Sequence, residues 1–213
     1  MKVLITAGPT RESIDPVRYL TNRSSGKMGY TLAGAFIHEG HSVILVSGPT
    51  HLDVPENVDF IPVETAAEMH DVVSKTIGRV DIAVFAAAVA DYTPVTTASE
   101  KIKKSGDRLT LELIRTADIL GSARHGFGFT GTLVGFAAET ENLEANAREK
   151  LAHKHCDLII ANDVSQAGIG FDSDENQVLL VYRDRIEFLP KASKHALSLQ
   201  LVDAILALTA ADI

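Results

Sequence analysis

The chain of 213 residues carries one cysteine, no long apolar run and no excess of positive charge. Cys156 has no second cysteine with which to form an internal disulfide. No Cys/His spacing of the metal-binding kind surrounds it, so a reducing compartment is expected. No stretch approaches the roughly 20 apolar residues that a membrane helix needs. Met1-Lys2-Val3 runs straight into an expected strand and not into a cleavable leader, so the expected location is cytoplasmic, without a membrane partner. The net charge of −8 argues against general nucleic-acid binding, although a local basic pocket remains compatible with it. Internal repeats, low-complexity tracts and linkers are also missing. Hydrophobic residues at 46% and charged residues at 23% are ordinary for a globular protein, and the length suits a single domain over 1–213.

What is present is alternation. Short apolar β-type runs at Val3–Thr6, Ser42–Ser47, Phe60–Val63, Asp81–Ala88, Thr132–Ala138 and Asp157–Ala161 are separated by helical patterns. The helices are expected over Met28–Glu39, Thr65–Ile77, Thr116–Arg124 and Asn142–His155. A hairpin of Gln177–Tyr182 with Arg185–Leu189 and a helix over Ser193–Leu208 close the chain. Such alternation predicts an α/β, Rossmann-like fold with a mostly parallel sheet and helices on both faces. Ligands of these sheets sit beyond the carboxyl ends of the strands, so the loops after Thr6, Ser47, Ala88, Ala138 and Ala161 are where a site is expected. Residues 91–113 break the rhythm. They are long, polar and locally basic, and alternate with period two from Arg108 to Leu113, as a half-exposed strand in a flap or dimer arm does.

The densest chemistry lies in Gly8–Gly29, GPTRESIDPVRYLTNRSSGKMG, between the first strand and the first helix. Ser24, Ser25, Gly26 and Lys27 stand where hydroxyls and helix N–H groups can hold a phosphate, although plain capping by Ser24 or Ser25 is the commoner use of such serines. Arg11, Arg18 and Arg23 favour the anion reading, since guanidinium groups bind anions bidentately. Asn22 adds an uncharged donor suited to a developing oxyanion. Asp91, at the end of AAAVADY (86–92), is a turn former or a ligand contact with equal weight. Lys101, in EKIKK (100–104), lies in a charge run that is usually a solvated face. Lys150 and Lys154 stand i, i+4 on one helix face, and spacing alone predicts that they face solvent. The eight histidines show no metal-binding pattern and are expected to be structural or superficial.

Three other patterns fail. Gly126-x-Gly128-x-x-Gly131 precedes a strand, whereas a dinucleotide fingerprint follows one and opens a helix. Gly26-Lys27 lacks the first glycine and the Ser/Thr of a phosphate loop, having Thr21 and Met28 in those places. Asp172-x-Asp174-x-Asn176 has Gln177 and Arg183 where a calcium loop needs glycine and glutamate.

In GPTRESIDPVRYLTNRSSGKMG (8–29), AAAVADY (86–92), EKIKK (100–104), TADIL (116–120), GFAAET (135–140) and LIIANDVS (158–165), the chain resembles the phosphopantothenate–cysteine ligase (phosphopantothenoylcysteine synthetase) family of coenzyme A biosynthesis. The likeness runs from Val3 to the last helix, with a departure over Gly121–Thr132. It implies a two-step reaction. A carboxylate of 4′-phosphopantothenate is first activated by a nucleoside triphosphate as an acyl-nucleotide, and the amine of L-cysteine then displaces the nucleoside monophosphate. The resemblance implies that Asn22 contacts the acyl-nucleotide, with Arg18 as its partner, and that Lys101 serves the second half-reaction. It implies nucleotide contacts at Ala86, Ala87, Ala88, Asp91, Lys101, Ala117, Asp118, Ile119, Leu120, Phe136, Lys150 and Lys154. Ser24, Ser25 and Gly26, with Asn22, are the candidates for the pantothenate substrate. Mg²⁺ is implied as the cofactor, with no ligands assigned. The bacterial spelling of the motifs implies CTP in preference to ATP, and the family implies a homodimer. In bacteria this domain often follows a flavin-dependent phosphopantothenoylcysteine decarboxylase. The chain lacks that half, so it is expected to be a stand-alone ligase or an excised domain, without flavin. A short NAD(P) oxidoreductase is disfavoured, because none of Tyr19, Tyr30, Tyr92 and Tyr182 has Lys four residues on. A non-catalytic phosphometabolite binder would need neither Lys101 nor Asp91.

Overall fold

The computed structural model of the chain describes residues 1–104, 106–165 and 173–211. Strand β1 (Lys2–Ala7) is buried from Val3 onward because both of its faces are covered. The hairpin β2 (Arg11–Ser13) and β3 (Tyr19–Thr21) comes next, then helix α1 (Lys27–His38), β4 (Ser42–Ser47), β5 (Asp59–Pro62), α2 (Ala66–Thr76) with a 3-10 turn at Ile77–Arg79, and β6 (Ile82–Phe85). A second small hairpin, β7 (Tyr92–Pro94) with β8 (Leu113–Arg115), precedes α3 (Ile119–His125), β9 (Thr132–Glu139), α4 (Leu143–Lys154) and β10 (Leu158–Asp163). The chain closes with β11 (Glu175–Tyr182), β12 (Ile186–Ser193) and α5 (Lys194–Ala211). None of these helices is long and apolar enough to cross a membrane.

The main sheet has eight strands in the order β12-β11-β10-β9-β6-β1-β4-β5. The six strands from β5 to β10 are parallel, and β11 and β12 add an antiparallel edge. The side-chain period of two sorts each strand between two cores. Val3, Ile5, Val43, Leu45 and Val84 pack with Leu32 and Phe36 of α1 and Leu197 and Leu201 of α5. Leu4, Ile44, Ala83 and Leu133 pack on the other face with Met69 and Val73 of α2, Ala123 of α3 and Leu151 of α4. Full burial of each such Leu or Ile contributes about 1.5–3 kcal/mol.

The strand order reverses direction between β1 and β6, where the following helices pass to opposite faces and leave a crevice. Two expectations need correction here. The strand expected over Asp81–Ala88 is regular only over Ile82–Phe85; beyond it the pairing thins to Ala86 N donating to Thr6 O (3.1 Å) and an isolated bridge of Ala88 with Pro9, in which Ala88 N donates to Gly8 O (2.9 Å). The half-exposed strand expected from Arg108 to Leu113 is confined to Leu113–Arg115. Among the described residues its strand partner is β7, three residues long; one further bond, from Val95 N to Glu112 O (3.0 Å), follows before the two segments part. Cut short in this way, most of the 91–113 arm has no strand pairing, and Ser105 within it lies outside the described residues. The hairpin β2–β3, inside Gly8–Gly29, went unforeseen.

Candidate functional site

A cleft of about 870 Å³ opens at the carboxyl ends of β1 and β6, a size suited to a small-molecule site. Its floor is Thr6 of β1 and the turn Phe85–Val89 after β6, where small alanines keep the backbone accessible. One wall is the loop Asn22–Ser25 with the first turn of α1. Gly26 is the N-cap of α1 at φ +79°, a left-handed conformation that glycine adopts without strain. Gly29 lets the helix lie directly on β1, since a Cβ there would stand 2.5 Å from Ala7 Cβ. Capping by Ser24 or Ser25 is therefore not how α1 begins; Ser24 Oγ accepts instead from Gly26 N at 3.3 Å.

The opposite wall is built by α3 and α4. Asp118 caps α3 by accepting from Gly121 N (2.9 Å), and it forms an ion pair with Lys154. Burial opposes ionisation of Asp118, but the Lys154 ammonium and the Gly121 N–H outweigh it and hold the carboxyl below its ordinary pKa. Lys150 donates to Phe136 O at 2.7 Å, and burial pushes its ammonium below the ordinary lysine value. The two lysines thus share a face, as their spacing requires, but that face lines the cleft; the solvent-facing reading from spacing alone does not hold.

Among the described residues, the lining carries six cations (Arg23, Lys27, Arg115, Lys150, Lys154 and Lys194) against two carboxylates, Asp91 and Asp118. The low dielectric of the protein walls focuses this field within the cleft. The excess of cations stands in a chain whose net charge is −8, so the basic pocket is local.

Fifteen of the candidate residues converge on this cleft: Asn22, Ser24, Ser25, Gly26, Ala86, Ala87, Ala88, Asp91, Ala117, Asp118, Ile119, Leu120, Phe136, Lys150 and Lys154. Arg18 and Lys101 are not among its lining. Arg18 is paired with Asp15 and bonded to Ile102 O (3.1 Å), and Lys101 is exposed beside it. Asn22 lines the cleft but donates through Nδ2 to Ala88 O (3.0 Å) and Val89 O (3.1 Å). With both acceptors backbone carbonyls, its amide stitches its wall to the floor of the cleft and would have to release one bond to serve an oxyanion.

Other lining residues had no expected role. Asn162 is the penultimate residue of β10, at one of the strand ends already marked as a place to search. Arg115 ends β8 and Thr116 follows it. Asn176 (4% exposed) and Lys194 (6%) come from β11 and the start of α5, and nothing in their local sequence distinguishes them. Of the discarded patterns, Gly126–Gly131 lies before β9, at the end of the sheet away from the cleft, tied down by Arg124 to Phe129 O (3.0 Å) and Gly131 O (2.8 Å). Asp172 lies outside the described residues; Asp174 pairs with Lys27 at 2.7 Å. The described residues contain no cluster of three or more His, Cys, Asp or Glu able to hold a metal on its own.

The family model of the DNA/pantothenate metabolism flavoprotein C-terminal domain matches residues 1–208. The chain belongs to that family. The coenzyme A biosynthesis bifunctional protein CoaBC of Vibrio cholerae is 50% identical over 199 residues, covering 92% of this chain and 50% of that protein. Its counterpart from Bacillus subtilis is 49% identical over 212 residues, 97% of this chain and 51% of the relative. The chain thus spans about half the length of these curated relatives. A crystal structure of the C-terminal domain of a CoaBC protein superposes with a TM-score of 0.80 at 39% identity, over 96% of this chain and 93% of that one. The DNA/pantothenate metabolism flavoprotein of Streptococcus pneumoniae gives 0.84 at 25% identity, over 97% and 99%. A Cab2 mutant in complex with phosphopantothenate-cysteine gives 0.78 at 19% identity, over 97% and 85%, a likeness of fold alone.

Proposed function

We propose that this chain is a phosphopantothenate–cysteine ligase, joining 4′-phosphopantothenate to L-cysteine through an acyl-nucleotide, in the cytoplasm. The observation that carries the proposal is the cleft at the β1–β6 reversal, where six cations oppose two carboxylates. A site lined in this way favours a polyanion, and a nucleoside triphosphate beside a phosphorylated acid is one. Family members named for coenzyme A biosynthesis, at 45–50% identity, support the same reading.

In the first step a carboxylate oxygen of 4′-phosphopantothenate attacks the α-phosphorus of CTP. An O–P bond forms, the bond to the β-phosphate breaks, and pyrophosphate leaves. In the second, the free amine of cysteine attacks the acyl carbon, the nucleoside monophosphate departs, and the amine loses a proton. Most of the catalysis is positioning and charge neutralisation. Lys150 and Lys154 meet the triphosphate, with Ala117–Leu120, Phe136, Ala86–Ala88 and Asp91 around the nucleotide. Ser24, Ser25 and Gly26 hold the pantothenate phosphate, Asn22 meets the activated acyl group, and Lys101 serves the cysteine step, with Arg18 acting beside it. When Mg²⁺ is bound, it neutralises charge on the triphosphate. Among the described residues Asp118 pairs with Lys154 and Asp91 forms no ion pair with a lysine, and Mg²⁺ sites commonly use one carboxylate plus substrate phosphates. We read residues 1–213 as one functional domain, with 91–113 as its flap and dimer arm, and the decarboxylase as its pathway partner.

The test is pyrophosphate release with authentic 4′-phosphopantothenate, CTP or ATP, and no cysteine. Release that requires the acid and is faster with CTP is expected. Tight CTP binding without release would favour a non-catalytic binder and contradict the proposal. Asn22→Ala should slow the full reaction by about 10²-fold or more, the scale of losing a donor at a developing charge.

A further inference from the structure

The arm after β7 has little strand pairing, yet it is not loose. Thr97 Oγ1 donates to Ser13 O (3.0 Å) and Ala98 N to Ile14 O (3.0 Å), so the arm starts along the β2–β3 hairpin. At Ile102 both backbone groups are taken by two side chains from the turn of that hairpin. Ile102 N donates to Asp15 Oδ2 (3.1 Å), and Arg18 donates to Ile102 O (3.1 Å). Asp15 is itself immobilised. Its side chain is 0% exposed, its Oδ1 accepts from Val17 N and Arg18 N (both 2.9 Å), and its Oδ2 accepts the Arg18 guanidinium through Nε (3.0 Å) and a terminal nitrogen. Arg18 is therefore aimed by a buried carboxylate, and what it is aimed at is the peptide next to Lys101. The fork geometry of arginine permits this double engagement; lysine could not supply it.

We propose that Asp15 and Arg18 form a two-point clip on the backbone of Ile102, and that this clip positions Lys101 for the cysteine-dependent half of the reaction. Arg18 is then a positioning residue, which accounts for its place outside the cleft lining. The Arg18 guanidinium holds the Asp15 carboxyl well below the usual carboxylate range despite its burial, so the clip stays charged at any working pH. The proposal rests on the ligase reading, in which Lys101 serves the second step.

The test combines hydrogen exchange at the Ile102 amide, measured without substrates, with single-turnover kinetics. Asn at position 15 would point an amide donor at the donors of Arg18 and Ile102. Asp15→Asn should speed Ile102 exchange at least tenfold, leave acid-dependent pyrophosphate release within about twofold, and slow cysteine-dependent product formation at least tenfold. Replacing the Ile102 amide by an ester, which removes only the N–H that Asp15 accepts, should lower the second step without disturbing the hairpin turn. In a Lys101→Gln background, Asp15→Asn should add no further loss, because coupled residues are non-additive. Unchanged exchange and turnover in Asp15→Asn would overturn the clip, and so would a fully additive loss in the double variant. Normal turnover in Lys101→Gln alone would overturn the ligase role of that lysine, and the clip's catalytic purpose with it. The exchange measurement separates that failure from a failure of the clip itself.

Discussion

Lys150 sits inside the cleft with its ammonium on Phe136 O, and burial lowers its pKa in the free protein. A bound triphosphate would favour the charged form and raise that pKa again. Nucleotide affinity should therefore fall as pH rises through the free-state value, which lies below that of an ordinary lysine, and level off above the bound-state value. Titration calorimetry with CTP across the alkaline range checks this, and Lys150→Arg, charged throughout, should flatten the profile. Asp118 has the opposite sign: its folded pKa is lowered, so its ion pair with Lys154 stabilises the fold above about pH 3.8 and loses that contribution as pH falls through the folded value. Cys156 is 1% exposed, and burial raises its thiol to about 12, so native protein at pH 8 should resist alkylation, whereas urea-unfolded protein should react. At this scale the place of Asn22–Gly26 in the lining of the cleft was legible from their position between the first strand and the first helix. The sequence did not reveal that the amide hydrogens of Asn22 are spent on Ala88 and Val89, since that depends on two loops meeting across the sheet end.

Helix α2 begins with a capping box: Thr65 Oγ1 accepts from Glu68 N (3.1 Å), and Glu68 returns a bond to Thr65 N (3.3 Å). Thr65→Ala should cost about 1 kcal/mol in urea unfolding, with an unchanged slope. The buried Glu12 of β2 accepts from Ala66 N at 2.8 Å, so this helix start also anchors the hairpin. At the start of α1, Gly29→Ala would drive a Cβ into Ala7, and a cost of about 1–3 kcal/mol is expected for such overpacking. The parallel strands were legible because strands covered on both faces read as continuous apolar runs such as SVILVS. The hairpins β2–β3 and β7–β8 were not, because three-residue strands are too short to establish a period and are held by tertiary contacts. The N-cap of Thr65 could be read directly from its sequence, whereas α1 turned out to start on a glycine, with Ser24 and Ser25 before it.

Across the whole molecule, the two small hairpins and the arm gather exposed apolar side chains. Val17, Tyr19, Tyr92, Val95, Leu109, Leu113 and Ile114 are all 41% or more exposed, while the main sheet's parallel strands contribute none of that class. Exposed apolar side chains of this kind are suited to burial against another subunit, as the dimer arm proposed for residues 91–113 requires. Light scattering should give about twice the chain mass of 22.9 kDa, and Ile114→Asp should shift it toward the monomer. The mostly parallel sheet and a cleft at the carboxyl ends of its strands followed from alternation, whereas the strand order did not. The six-cation lining did not, because Arg115 and Lys194 are brought in by elements that are distant in sequence. The central claim, activation of a carboxylate as an acyl-nucleotide, is tested most directly with 4′-phosphopantothenate labelled with ¹⁸O in its carboxylate. One ¹⁸O should appear in the phosphate of the nucleoside monophosphate when CTP and cysteine are supplied. Label found instead in orthophosphate, with nucleoside diphosphate as the other product, would contradict the account.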